Sequence, residues 1–248
     1  MPLGLGASLG TTQIVTPGIV TDNLVMKHMY PAGAVQPLSD GAAYFDGTSD
    51  YIDCGTNASL RTANFTVSCW VYLLNTGANL GIVSSIDNSD TADRSGFSIT
   101  RNSSDKFEFR IGDSSNLHSS ASADDANAYQ WYFLTQTYDG STQKGYVDGV
   151  LVDSDSYSDF TVSTTNFMIG AYYASNPTSL GMNGYITNVG YWSAVLTQPQ
   201  IKSIMFKQYA DLSTTEKTSL VSWWALDEGT GTTANDSHGS NNGSATGF

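Results

Sequence analysis

Residues 42–73 read AAYFDGTSDYIDCGTNASLRTANFTVSCWVYL, and their spacing decides the fold class. From Phe65 to Leu73 the chain alternates. Phe65, Val67, Cys69, Val71 and Leu73 share one face, while Thr66, Ser68, Trp70 and Tyr72 share the other. Because the second face carries Trp70 and Tyr72, the pattern predicts a strand covered on both sides. Upstream, a short strand at 43–45 runs into Asp46-Gly47, a turn pair in which Gly tolerates positive φ and Asp bonds its own backbone. A second short strand is predicted at 51–54. This is an antiparallel pattern, and later segments repeat it. Residues 107–111 set Phe107, Phe109 and Ile111 against a cross-face charge pair, Glu108 and Arg110. Two further strands, 131–138 and 144–152, are joined by YDGST, with a tight turn at Val147-Asp148-Gly149. Segments 84–95 and 113–128 read as long polar loops, of the kind that gather binding residues at the ends of a sandwich.

At 248 residues the chain can bury roughly three quarters of its unfolded surface without a covalent staple. The net charge is −13, and only three of the 23 acidic residues are Glu, as suits a chain rich in turns and poor in helix. A surface of that sign repels nucleic acid and anionic membrane, which argues against both as partners. No stretch reaches the ~20 apolar residues of a membrane-spanning helix, and the first basic residue is Lys27, so no secretory signal is expected. Cys54 and Cys69 fall on apolar-facing registers and are expected as buried free thiols rather than a disulfide. Folding in a cytoplasm is the expectation that follows. Helices are few. Thr197-Gln-Pro-Gln200 has the form of a capping box ahead of Ile201, Ile204 and Met205, and Ser213-Thr-Thr-Glu216 repeats the box before 217–220.

YFDGTSDYIDCG followed by FTVSCWVYL resembles the opening of laminin-G-like, concanavalin A-type lectin and glucanase jelly rolls. GIVSSID, GFSITRNSSDKFEFRIG, FMIGAYYAS and GYITNVGYWSAVLTQPQIKSI fit the same pattern in order. The resemblance implies an all-β fold, an antiparallel two-sheet jelly-roll sandwich with one or two short helices near the C-terminus. It divides the chain into an N-terminal arm at 1–17, a jelly roll at 18–212 and a C-terminal helix-strand-loop segment at 213–248. The predicted strand at 18–30, GIVTDNLVMKHMY, resembles the opening of such modules in bacteriophage structural proteins. Residues 219–243, SLVSWWALDEGTGTTANDSHGSNNG, resemble the family's own first strand and loop, displaced to the other end. Either that segment completes this chain's sheet or it packs on a neighbouring subunit. Completion is preferred, since a free strand bearing Val221, Trp223 and Trp224 would invite aggregation.

Hydrolysis of a glycosidic bond usually needs two carboxylates about 5 to 9.5 Å apart. The E-x-D-x-x-E pattern of the family's laminarinase-type enzymes does not occur here, and Glu108, Glu216 and Glu228 stand far apart, so no catalytic residue is assigned. No cofactor is required. Calcium is considered because Asp-rich loops supply hard oxygen ligands, with Asp46, Asp227 and Asp236 as the chosen set and Asp87, Asp90, Asp93 or Asp153, Asp155, Asp159 as further clusters. Aromatic platforms bind a sugar's C–H face while polar neighbours meet its hydroxyls. The candidates are Trp131, Tyr132, Tyr172, Tyr173, Tyr191 and Trp192, of which alternation sends half into the core.

The combined expectation is a bacteriophage virion structural protein, a capsid decoration or fibre component located on the particle. Its partners would be copies of itself and other virion proteins, with weak binding to a surface glycan. Met1, Pro2, Leu3, Leu5, Ile14 and Val15 of the arm would make subunit contacts. The alternatives are a free bacterial carbohydrate-binding or adhesion module acting outside the cell, and a glycosidase of the same fold.

Overall fold

The computed structural model describes residues 41–86, 94–122 and 124–248. The arm with its six contact residues, the predicted strand at 18–30, and Asp87, Asp90 and Asp93 lie outside the described residues. Fifteen strands are described: β1 (Ala43–Asp46), β2 (Tyr51–Asp53), β3 (Phe65–Leu73), β4 (Leu80–Ile86), β5 (Gly96–Arg101), β6 (Phe107–Gly112), β7 (Leu117–Ala121), β8 (Trp131–Tyr138), β9 (Thr142–Val147), β10 (Val150–Ser156), β11 (Met168–Ile169), β12 (Asn183–Trp192), β13 (Leu220–Trp224), β14 (Thr233–Ala234) and β15 (Gly243–Thr246). They form two antiparallel sheets packed as a sandwich. The first runs β1-β12-β3-β8-β9-β10, with β13 also on β12; the second runs β14-β15-β2-β11-β4-β5-β6-β7.

The alternation in β3 is realised as read. Phe65, Val67, Cys69, Val71 and Leu73 enter the core between the sheets, where they meet Phe97, Ile99, Phe107, Phe109 and Ile111 of the second sheet. Trp70 enters a second apolar cluster on the opposite side, with Phe133, Tyr146, Trp192 and Trp223. That cluster is covered by α1 (Gln198–Ile204), whose Ile201 and Ile204 are buried in it. Gln200 Oε1 accepts from the Thr197 N–H at 2.8 Å, and Pro199 stands in the first turn, so the predicted box starts the helix. Cys54 and Cys69 are buried and unpaired.

The second predicted helix is absent. Ser213 and Glu216 do form their box, with Ser213 N donating to Glu216 Oε2 at 2.8 Å, but 214–219 is only a turn. Pairing of Leu220 with Trp192 in the sheet outweighs the single turn that the box could nucleate. The segment 113–128 likewise holds a strand, β7, inside what reads as a polar loop. It pairs through five registers with β6, which supplies the backbone partners that composition alone does not reveal.

Gly145 on β9 shows how tightly the layers meet. A Cβ there would stand 2.2 Å from the Phe109 ring of the other sheet. Gly145→Ala is therefore expected to cost about 1–3 kcal/mol through overpacking, measurable as a lowered midpoint in urea unfolding.

Candidate functional site

On β5 and β6 the inward positions are taken by Phe97, Ile99, Phe107, Phe109 and Ile111, so Thr100, Glu108 and Arg110 project from the outer face of the eight-stranded sheet. Two amides tie this region to the first sheet. Gln136 Nε2 donates to the Arg110 carbonyl at 2.9 Å, and Gln143 Nε2 donates to the Phe109 carbonyl at 2.7 Å. Over the same face passes the loop that follows β11. It is strapped to β4 by Ser84 Oγ donating to the Ala171 carbonyl at 3.0 Å and by Gly81 N donating to the Leu180 carbonyl at 2.7 Å. Only glycine fits at position 81, since a Cβ would stand 2.2 Å from the Tyr172 nitrogen. That close approach brings Tyr172 and Tyr173 beside Arg110.

The result is a cavity of about 170 Å³ lined by Thr100, Arg101, Arg110, Tyr172, Tyr173 and Leu180, with Asn79 and Leu80. The rings of Tyr172 and Tyr173 lie 4.1 Å apart between centroids. The Arg110 guanidinium sits 5.3 Å from the Tyr172 ring centre, and its Nη1 donates to the Tyr172 hydroxyl at 2.6 Å. Glu108, itself held by Asn102 Nδ2 at 3.0 Å, forms an ion pair with Arg110. Burial disfavours the charge on Arg110, but Tyr172 and Glu108 outweigh it and leave its pKa raised. Arg101 is fully buried against the Ala78 carbonyl at 2.9 Å and Asp105 at 3.3 Å. Each arginine thus has its own carboxylate, and the cavity offers directional donors without surplus positive charge. Thr100 Oγ1 and Arg110 Nε are buried beneath this cavity's lining residues and have no hydrogen-bond partner.

The six aromatic candidates separate into three sets. Tyr172 and Tyr173 border the cavity, Tyr172 itself fully buried and Tyr173 half-buried. Trp131 is half-buried on the outer face of the other sheet, against Tyr72 and Trp70. The remaining three are core residues and do not form a platform. Tyr132 packs edge-on to Phe107 at 4.9 Å, with its hydroxyl accepting from the Asn127 N–H; Tyr191 lies near-parallel to both Phe65 and Phe97 in the core; Trp192 is fully buried under α1. In the sequence Arg110 reads only as the partner of Glu108 and Thr100 carries no signal, because their relation to Tyr172 exists only through the strapped loop.

The calcium set is not assembled. Asp46 Oδ1 accepts from the Thr48 and Ser49 N–H groups at 2.7 and 2.8 Å, the work of a turn aspartate. Asp236 accepts from four backbone N–H groups, and Asp227 is exposed. Among the described residues no group of three or more His, Cys, Asp or Glu could hold a metal ion, Asp153, Asp155 and Asp159 included. The three glutamates are likewise engaged singly: Glu108 with Arg110, Glu216 with Lys207 at 2.6 Å, and Glu228 with the Asn235 N–H at 2.6 Å. A larger cavity of about 440 Å³ lies between β1 and β14, walled mainly by alanine, glycine and threonine with Tyr44 and Phe248. Its lining carries threonine hydroxyls and Glu228 but no arginine.

Residues 46–202 match the family described as the concanavalin A-like lectin/glucanases superfamily. No curated protein matches the chain in sequence. Among solved structures, a Bacteroides ovatus protein assigned to carbohydrate binding is 18% identical with a TM-score of 0.62, over 82% of this chain and 57% of its own. The chain therefore spans little more than half the length of that protein. Domain 4 of an extracellular arabinanase from Geobacillus stearothermophilus, in complex with arabinotriose, is 19% identical with a TM-score of 0.52, over 67% of this chain and 79% of its own. The CBM40 module of a Ruminococcus gnavus sialidase bound to α2,3 sialyllactose is 12% identical with a TM-score of 0.51, over 67% of this chain and 99% of its own. At these identities the likeness speaks for the fold.

Proposed function

The chain belongs to the concanavalin A-like lectin/glucanase superfamily, and from that premise we propose that it is a carbohydrate-binding module whose ligand enters the cavity beside Tyr172 and Tyr173. The observation that carries this is a small cavity lined by the partly exposed Arg110 guanidinium, 22% accessible, and the half-buried Tyr173 beside Tyr172. A cavity of this size takes one terminal sugar unit, its C–H face on the Tyr173 ring and its hydroxyls toward the arginine. Because Glu108 and Asp105 already offset the two arginines, a neutral sugar fits better than an acidic one.

The role is contact rather than bond-making. In support, none of the three glutamates faces another carboxylate as an acid pair would. The setting we propose is a bacteriophage particle, as capsid decoration or fibre component, in company with copies of itself and other virion proteins. The resemblance of GIVTDNLVMKHMY to phage modules supports it, and so do two free buried thiols, which suit folding in a reducing compartment.

Glycan-array screening followed by titration calorimetry tests the first reading. The wild type is expected to bind a neutral terminal sugar, and Tyr173→Ala to weaken that binding roughly tenfold, about 1.4 kcal/mol, with unfolding unchanged. No array signal from a folded wild-type protein would defeat it. Light scattering tests the setting: an oligomer fits a particle component, whereas a stable sugar-binding monomer favours a free bacterial module. Release of reducing ends from a β-glucan would favour the glycosidase.

A further inference from the structure

The face of the seven-stranded sheet turned away from the core carries a row of four aromatic rings on four neighbouring strands. Tyr44 of β1 pairs directly with Tyr185 of β12, Tyr185 with Tyr72 of β3, and Tyr72 with Trp131 of β8. The ring centroids are 5.3, 6.0 and 5.4 Å apart in that order. Tyr44 is 47% exposed and the other three are half-buried, so the row is open to solvent although its base rests on Trp70. α1 and its apolar cluster cover Trp70, Phe133, Tyr146 and Trp192 on this face, beginning one level further along the strands, and among the described residues leave the row itself uncovered.

We propose that this row is a second carbohydrate surface, distinct from the cavity, that takes an extended neutral polysaccharide lying across the strands. Four strands span about 14 Å, a length that suits several sugar units rather than one. Among the described residues no further strand closes either end of the row. β1 is the edge strand of the described sheet, with Tyr44 also bordering the larger cavity, and on the other side β9 has turned back at Asp148-Gly149 before reaching the level of Trp131, its last residue Val147 pairing with Leu134. A polymer can therefore continue past either end, which a pocket would prevent.

The rings are tilted by 48°, 69° and 57° to one another, so they offer alternating faces and edges to a chain of non-planar units rather than parallel faces to stacked planar groups. A net charge of −13 disfavours an anionic polymer such as nucleic acid on the same surface. Beside the rings, Asp46 and Asn183 stand opposite each other one level along β1 and β12, on the same side as Tyr44 and Tyr185, and bring polar groups to a hydroxylated ligand. Cross-strand aromatic pairs also stabilise a sheet by about 0.2–1 kcal/mol each. That accounts for pairing but not for leaving the terminal ring of the row exposed.

Native affinity electrophoresis in gels containing soluble β-glucan, arabinan or xylan tests the proposal on the full chain. At least one of these polymers is expected to retard the wild type. The Tyr44→Ala/Trp131→Ala double variant is expected to need roughly tenfold more polymer for the same retardation, while Trp131→Phe, which keeps a ring, stays close to the wild type. Tyr173→Ala, altered only at the cavity, is expected to be retarded normally, and that arm separates failure here from failure of the cavity reading. The proposal is overturned if none of the polymers retards the wild type, if the folded double variant is retarded equally, or if Tyr173→Ala alone abolishes the effect. A wild-type dimer in light scattering that the double variant dissolves would also overturn it, in favour of contact between copies of the chain.

Discussion

Replacing Trp224 by alanine is expected to lower the unfolding free energy by about 3–5 kcal/mol, seen in urea as a reduced midpoint with little change in slope. Trp224 ends β13 and is fully buried in the core between the sheets, where its ring lies 5.1 Å from Phe167. Its indole N–H donates to the Asn241 carbonyl at 2.7 Å and so ties β13 to the loop before β15. β13 pairs with β12, and β15 with β2, within the same chain. The C-terminal segment therefore contributes β13 to the first sheet and β14 and β15 to the second sheet of its own sandwich. The last residue, Phe248, packs edge-on against Phe45 of β1 at 5.2 Å, so the displaced segment lies beside the strand it would precede in the usual order. Trp224→Phe separates the two contributions. It keeps most of the apolar area and loses only the indole hydrogen bond, for an expected cost of about 1–2 kcal/mol. If the alanine variant unfolded like the wild type, the C-terminal segment would be an attachment and not part of the core.

Much of this architecture can be read from local spacing. Phe65 to Leu73 announces a strand with two covered faces because side chains alternate with a fixed period of two, and Trp70 tells which face meets a second layer. Asp46-Gly47 and Asp148-Gly149 announce turns because their backbones require positive φ, found at Gly47, Asp148 and Gly149. Parity fails where the chain bulges. Along β12 Tyr185 points outward, and an unbroken count would send Tyr191 outward too. The register shifts between Thr187 and Gly190, where Asn188 takes a φ of 50°, and the facing reverses. Tyr191 enters the core and Trp192 goes under α1, so two of the six aromatic candidates change role at one irregular residue.

The two proposed surfaces are hidden in the sequence for a different reason. Thr100, Arg110 and Tyr172 meet only because a loop crosses Gly81, and the row from Tyr44 to Trp131 runs perpendicular to the chain. Neither leaves a pattern along the sequence, since cross-strand neighbours are set by register and not by spacing. Of the row, only Trp131 stands out in the sequence. Tyr44, Tyr72 and Tyr185 read there as ordinary strand tyrosines.

The second large effect is expected at Asp236, whose replacement by alanine should cost about 3 kcal/mol at neutral pH. Its carboxylate accepts from the N–H groups of Trp223 at 3.0 Å, His238 at 3.0 Å, Gly239 at 2.9 Å and Asn241 at 3.0 Å. Alanine leaves these donors to water where water reaches them and unmatched where it does not, next to the Trp224–Asn241 tie. Partial burial works against the ionised carboxylate, but the four backbone donors outweigh it and hold the pKa below the usual aspartate value. The folded state thus binds the proton more weakly than the unfolded chain. Its contribution is fully present above the unfolded value of about 3.9 and is lost as pH falls through the lowered folded value. The gap between wild type and Asp236→Ala should therefore be widest near pH 7 and narrow at about pH 3. Other carboxylates held down by backbone donors, such as Asp139, make both proteins acid-sensitive and cancel in the difference. Urea unfolding of the pair across that range checks the sign directly. A gap that stays constant with pH would mean that Asp236 acts through its shape and not through its charge.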